Sequence, residues 1–392
     1  MDQVSNPYSP GAGARPSELA GRSSELADMD VALQRALIGR SGKSQLITGL
    51  RGVGKTVLLH EFGRVAVKRG FIYEHIEVRD AEQLPLQIAV AVRKALLKLG
   101  GKKKAKGANR RALGVLKAFA QAHPAAASLQ NEAEVVAGVA DSGDLGSDLG
   151  GLFEEVGGAA RSLEAGVFLT VDEMHHLPSP ALEALLLGLH RTSEMGLPFV
   201  LAGAALPSLP AVSEEAGAYA EGMFRFRPIG ALATDEAASA VLAPAAAEGV
   251  SWKGAALARL YEVTQGYPYF IQEFAKQAWD LAEEGSDVIR PSDVERSIPL
   301  AMMELDQGFF QFRAAKTTEP ERAYLRAMAE LGPGIVRSAD VATLLRKKTT
   351  QVAPVRDALM KKAICFSPRF NELAFTFPMF DQFMKRWMPS LS

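Results

Sequence analysis

The chain has 392 residues, of which 48% are hydrophobic and 23% charged, the composition of a globular protein long enough for two or three domains. That excludes a wholly disordered chain, and 44 Lys and Arg against 45 Asp and Glu exclude a polyanion binder by bulk charge. The one cysteine, Cys365, excludes an internal disulfide and a thiolate zinc cluster.

Residues 1–18 are rich in Pro, Gly and Ser and read as an extended arm. They lack a basic start followed by an apolar run, so they are no secretory signal. No stretch reaches the ~18 apolar residues of a membrane span, and a cytoplasmic protein without membrane contact is the expectation. An amphipathic segment runs from Ser24 to Ile38. Ser44 to Thr48 is a short apolar run entering a glycine-rich turn, and Thr56 to Arg69 has helical spacing of Val57, Leu58, Phe62 and Val65. Phe71 to Val78 reads as a strand and Leu84 to Leu99 as a helix, an alternation that predicts a parallel α/β sheet.

Residues 100–165 read as an insertion with helical flanks, Arg111 to Ala122 and Asp148 to Leu163. Charge is uneven here: residues 91–120 hold ten Lys or Arg and no acid, while residues 131–165 hold eight acids and one base. Lys102 to Lys104, Lys106, Arg110 and Arg111 form a basic patch without the interleaved aromatics that stack on bases. Val167 to Val171 and Pro198 to Ala202 are continuous apolar strands, as in a sheet covered on both faces. Pro180 to Ser193 lies between them as a helix.

From Ala233 the pattern turns helical, with Thr234 and Ser251 as N-caps. Helices at Pro320–Leu331, Ser338–Leu345 and Gln351–Lys362, then strands Ile364–Ser367 and Leu373–Phe377, are the pattern of a winged helix. Nine of 19 phenylalanines lie between Phe309 and Phe383 and are expected to fill its core.

The strongest signal is Gly49-Leu-Arg51-Gly52-Val53-Gly54-Lys55-Thr56, which fits G-x-x-x-x-G-K-[ST] after a strand and before a helix. Glycines let backbone N–H groups wrap phosphate oxygens, and the helix start adds its dipole. Gly49, Arg51, Gly52, Val53, Gly54, Lys55, Thr56 and Val57 are thus the candidate ATP contacts. Lys55 is assigned to the β- and γ-phosphates and Thr56 to Mg²⁺. The strand Gly166–Val171 ends in Asp172-Glu173. Asp172 is expected in the Mg²⁺ shell and Glu173 as the residue that orients and polarises water. The six histidines show no metal-site spacing; His175 is expected as a polar contact near the γ-phosphate and His176 as a surface residue.

With these motifs the chain resembles an AAA-type P-loop ATPase of the STAND and origin-recognition-like (ORC/Cdc6-like) branches. Leu19-Ala-Gly21-Arg22-Ser-Ser-Glu25 is similar to the family's entry motif, which the resemblance places near the adenine. Gly266-Tyr267-Pro268 is similar to the Gly-x-Pro of STAND lids, whose proline packs at the base. Three departures matter. The lid has Gly-Tyr-Pro-Tyr269 where hexameric motors carry a sensor arginine. The strand Phe199–Ala202 runs into Gly203-Ala-Ala-Leu-Pro207 without a sensor Asn or Thr. Tyr219-Ala-Glu-Gly222-Met-Phe224 has glycine where relatives present an arginine, with Arg225 and Arg227 as substitutes.

The expected organisation is an arm at 1–18, a P-loop core at 19–232 with the insertion at about 100–165, a helical lid at 233–312 and a winged helix at 313–392. The resemblance and the departures together imply a slow ATPase, an ATP- and Mg²⁺-dependent switch whose nucleotide state sets lid and winged-helix position and binding of a protein partner. A nucleotide-dependent homo-oligomer fits this reading. The alternative is an ATP-dependent DNA-binding or loading factor, in which Arg346, Lys347, Lys348, Gln351 and Arg356, with Lys361 and Lys362, meet DNA from the recognition helix. A third reading is an inactive nucleotide-binding scaffold, against which Lys55, Thr56, Asp172 and Glu173 argue.

Overall fold

The computed structural model describes residues 1–11, 13–40, 42–100, 106–129, 133–209 and 224–390. Two compact units emerge. One comprises residues 22–49 and 55–229, the other residues 1–21, 50–54 and 230–392. Each has a hydrophobic core of its own. Among the described residues no helix is long and apolar enough to cross a membrane.

The first unit is an α/β layer structure. Its elements are α1 (Ser23–Leu37), β1 (Ser44–Thr48), α2 (Lys55–Lys68), β2 (Phe71–Glu77), α3 (Leu84–Gly100), α4 (Lys106–Ala122), α5 (Leu145–Ser162), β3 (Gly166–Asp172), α6 (Ser179–Glu194), β4 (Phe199–Ala205) and β5 (Phe224–Pro228). The five strands form one parallel sheet in the order β2-β3-β4-β1-β5. β1, β3 and β4 are buried at every residue, which is why β3 and β4 are largely apolar rather than alternating, while β1 buries Ser44, Gln45 and Thr48 as well. Helix α1 buries Met29, Ala32, Leu33 and Ala36, a single stripe at helical spacing. Register pairs Thr48 with Ala205 and Val171 with Gly203. The carboxyl ends of β1 and β3 therefore share one edge of the sheet, where α/β folds bind ligands.

The expected insertion is part of this core. Val115, Leu116 and Phe119 of α4 and Leu149, Leu152, Phe153 and Val156 of α5 are fully buried in the same cluster as β3. Lys102, Lys103 and Lys104 lie outside the described residues, as does the side chain of Lys106. Arg111 is paired with Glu155 at 3.0 Å, and Arg110 lies 4.0 Å from Glu134.

The second unit holds α7 (Thr234–Ala247), β6 (Ser251–Trp252), α8 (Gly254–Thr264), α9 (Pro268–Leu281), β7 (Val288–Ile289), α10 (Pro291–Glu304), α11 (Glu319–Leu331), β8 (Val336–Arg337), α12 (Ser338–Leu344), α13 (Thr349–Lys361), β9 (Cys365–Phe366), β10 (Glu372–Phe375) and α14 (Phe380–Trp387). Two of the expected caps differ. The N-cap of α7 is Ala233, whose N–H donates to Glu236 from inside the helix, so Thr234 is already the first helical residue. Ser251 is a strand residue, pairing with Val288 in a parallel bridge. The C-terminal sheet has three strands, β8-β10-β9, antiparallel, one more than the sequence suggested. A π-helical turn at Leu305–Gln311 brings Phe309 and Phe310 into a ring cluster with Phe377, Phe380 and Phe383.

The N-terminal residues are fastened to this unit. The Met1 ammonium donates to Ala282 O at 2.9 Å, and Trp279 Nε1 donates to Asp2 O at 2.8 Å. Tyr8 is buried between Trp252 and Trp279.

Candidate nucleotide site

The turn after β1 needs left-handed backbone, which glycine supplies at no steric cost. Gly52 has φ +84° and Gly54 φ +91°. Helix α2 then starts at Lys55. Lys55 is buried, and its Nζ donates to Gly49 O at 2.9 Å. Thr56 is one residue into the helix, and its hydroxyl donates to Asp172 Oδ2 at 2.6 Å across 116 residues of sequence.

Asp172 is buried at the end of β3. Its other oxygen, Oδ1, accepts from the Glu173 N–H at 2.7 Å. Both carboxylate oxygens are therefore directed, one to the P-loop helix and one to its own chain. The set of a hydroxyl and a carboxylate is all oxygen, as a hard cation requires. Neighbouring ligands on octahedral Mg²⁺ at 2.0–2.1 Å lie about 2.9 Å apart, so the pair would open by only about 0.3 Å to hold the ion.

Glu173 sits in left-handed backbone, φ 56° and ψ 35°, and a 3-10 turn at Met174–His176 follows. Met174 anchors that turn in the core. Its sulfur stands 2.1 Å from where a Cβ on Gly203 of β4 would lie. Any residue larger than glycine at position 203 would therefore displace Met174. The turn brings His175 Nε2 to 3.1 Å from Glu173 Oε2 and sets the His175 and His176 rings 4.3 Å apart, tilted at 37°. One ligand atom from each of Glu173, His175 and His176 lies within 4.8 Å of the others, a grouping that the sequence spacing did not suggest. Behind β3, His75 faces Thr170 Oγ1 at 2.8 Å, and burial together with the neighbouring His60 holds its imidazole below the usual range.

Residues 50–54 group with the second unit, where two backbone hydrogen bonds hold them. Arg51 N–H donates to Thr376 O at 3.0 Å, and Tyr269 N–H donates to Gly52 O at 3.2 Å. The Arg51 guanidinium lies 5.9 Å from the Phe377 ring centroid. Val53 is buried and Val57 half-buried. Thr376 and Tyr269 carried no motif signal; they are recognisable only in three dimensions.

Of the residues expected at the base, Gly21 has φ +66°, and a Cβ there would lie 2.6 Å from Glu236 Cδ, so only glycine fits. Arg22 is buried at the N-cap of α1. Gly266 has φ +73° and accepts at its carbonyl from Leu232 N–H at 2.8 Å, while Pro268 opens α9. Arg225 and Arg227 both pair with Asp28 of α1. The Tyr219–Gly222 segment lies outside the described residues.

On the C-terminal unit, Arg346, Lys347 and Lys348 are exposed before α13. Gln351 accepts the Lys348 N–H at 2.9 Å and so closes the helix start rather than pointing away. Arg356 pairs with Asp357, and Lys362 with Glu321. Lys361 is exposed.

Residues 18–201 match the family described as AAA ATPase domain, and residues 307–384 match one described as Domain of unknown function (DUF8462). No curated protein matches. The structure is similar to the Walker-type ATPase PABY2304 of Pyrococcus abyssi at 14% identity and TM-score 0.57, over 95% of this chain and 97% of that one. Weaker similarity extends to the Aeropyrum pernix ORC1 protein in complex with DNA (16% identity, TM-score 0.46, 95% and 94% of the two chains). The Thermotoga maritima RuvB Holliday junction branch migration motor is similar at 15% identity and TM-score 0.44, over 93% and 96%. The five-stranded parallel sheet is the α/β fold of P-loop ATPases, and the match over residues 18–201 falls on it.

Proposed function

We propose that the chain is a slow ATP-hydrolysing switch of the STAND-like kind, with a winged helix at its C-terminus. The observation that carries the reading is the 2.6 Å meeting of Thr56 Oγ1 and Asp172 Oδ2, beside a buried Lys55. Lys55 would neutralise the β- and γ-phosphates. Bound Mg²⁺ would supply charge neutralisation on the phosphate oxygens, held by Thr56 and Asp172. Glu173 would orient a water and take its proton as the water oxygen bonds to the γ-phosphorus and the bond to the bridging oxygen breaks.

Slow turnover is supported by Arg225 and Arg227, the substitute arginines the sequence offers, both being paired with Asp28. Switching is supported by the loop itself. Its Arg51 N–H is engaged by Thr376 and its Gly52 carbonyl by Tyr269, so a loop that rearranges around phosphate must change both partnerships. Nucleotide state would thereby bias the C-terminal residues and whatever protein binds them.

Steady-state phosphate release tests this. Wild type is expected to turn over slowly. Lys55→Ala loses nucleotide binding, and Glu173→Gln binds nucleotide but hydrolyses about 10²–10⁴-fold more slowly. Equal release from all three proteins sinks the enzyme. A second reading, DNA binding by the winged helix, is favoured by the exposed run Arg346-Lys347-Lys348 before α13.

A further inference from the structure

We infer that Glu173, His175 and His176 form a site for one zinc-class divalent cation, and that filling it withdraws Glu173 from water activation and inhibits hydrolysis. The second half rests on the ATPase reading; the site itself does not.

Three residues each offer one ligand atom, and these atoms lie within 4.8 Å of one another. Tetrahedral ligands at 2.0–2.1 Å from Zn²⁺ lie about 3.3 Å apart. The His175 Nε2 to Glu173 Oε2 separation of 3.1 Å already matches that spacing. Side-chain rotation of His176, half-buried and beside His175 with ring centroids 4.3 Å apart, completes the set. Two imidazoles and one carboxylate with a fourth position open to water are the donors of a borderline cation. Mg²⁺ prefers oxygen ligands and keeps its waters, so it suits Thr56 and Asp172 and not this set.

The backbone explains why the two carboxylates of one dipeptide serve different ions. Asp172 ends a strand and turns its side chain to Thr56 and to the Glu173 N–H. Glu173 itself is left-handed and leads into the 3-10 turn, and a ligand atom of each histidine lies within 4.8 Å of a Glu173 carboxylate oxygen. Burial adds to the affinity: the His175 side chain is 7% exposed, so the ion would be shielded on that side. A cation held on Glu173 Oε2 draws off the negative charge with which the carboxylate would take a proton from water, so the two uses compete. Cys365, buried in the other unit with its thiol pushed up to about 12 by burial, offers no competing thiolate.

The test uses the full chain, freed of metal and nucleotide, titrated with ZnCl₂ and separately with Co²⁺ read by visible absorption. One equivalent is expected to bind, with a tetrahedral cobalt spectrum. His175→Ala and His176→Gln each weaken binding by about tenfold or more. His60→Ala, which alters the other histidine pair, leaves it unchanged. Zinc should then inhibit Mg·ATP hydrolysis by wild type but not by His176→Gln, which keeps ordinary turnover without zinc. Binding that survives both variants, or that disappears in His60→Ala, overturns the site. Zinc that binds as expected without slowing hydrolysis overturns the inhibition. A chain that binds zinc as expected but never hydrolyses ATP overturns the enzyme reading and the inhibition with it, and supports the site.

Discussion

Asp148 shows how one buried carboxylate fixes a loop next to the strand that ends in Asp172. Its Oδ1 accepts from Ser142 N–H at 2.9 Å and Ser142 Oγ–H at 2.7 Å, while Oδ2 accepts from Gly143 N–H at 2.9 Å and faces His123 Nε2 at 2.9 Å. The loop thus fixed leads into α5, which packs on α6 and on β3, the strand that ends in Asp172. Burial pushes the Asp148 carboxyl up, but the donors from Ser142, Gly143 and His123 outweigh it and hold the group below its usual value. The sign follows from that depression. A carboxylate easier to ionise folded than unfolded contributes stability that is present above the unfolded value near 4 and is lost as pH falls through the folded one. Asp148→Asn is expected to cost about 1.5–3 kcal/mol at pH 7, the range for hydrogen bonds to a charged group. Urea unfolding followed from pH 7 to pH 3 should show the gap between variant and wild type closing at the acid end. A constant gap would mean that the charge does not matter.

Among the elements, the N-terminal arm departs furthest from its composition. Pro, Gly and Ser suggested an extended arm, and within it Tyr8 is 2% exposed, its hydroxyl donating to Val241 O at 2.8 Å and accepting from Trp252 Nε1 at 3.0 Å. Tyr8→Phe leaves a buried acceptor and a buried indole N–H without that partner. The expected loss is about 1–3 kcal/mol, read as a lower urea midpoint by tryptophan emission, since Trp252 and Trp279 both flank the ring. An unchanged midpoint would show that the arm is not part of the folded unit. What was legible in sequence follows the range of the interaction. The P-loop was readable because turn, helix start and lysine are set by spacing within eight residues. Its meeting with Asp172 was readable because an apolar strand ending in acids has one place to go in a parallel sheet. The histidine cluster was not, because it depends on a left-handed Glu173 that sequence does not announce. β8 was too short to alternate, being two residues long. The segment at residues 100–165 read as an insertion because its charges are dense, although the apolar faces of α4 and α5 lie in the core.

At the scale of the whole molecule, a net charge of −1 conceals a C-terminal stretch, residues 300–392, with 14 bases and 9 acids. Much of that excess is spent internally. Arg326 pairs with Glu330, Arg386 with Asp306, Lys362 with Glu321 and Arg356 with Asp357. Arg346, Lys347 and Lys348 form the exposed basic run that flanks a helix start. If this unit binds DNA, the contacts are therefore few and electrostatic. Each neutralised phosphate contributes about −0.9 to the slope of log affinity against log salt, so three bases predict a slope near −3. Replacing all three with glutamine should bring the slope close to zero and weaken binding to every sequence alike, because phosphate contacts carry no base information. Base-specific recognition would require side chains at the start of α13, and Gln351 is occupied there in closing the helix on the Lys348 N–H. The expected result is thus weak, sequence-independent and salt-sensitive binding, measured by fluorescence anisotropy on two unrelated duplexes with and without ATP. No binding at low salt removes the DNA reading and leaves the unit to act through protein partners alone. A slope much steeper than −3 that persists in the triple variant would assign the contacts to other bases of the chain.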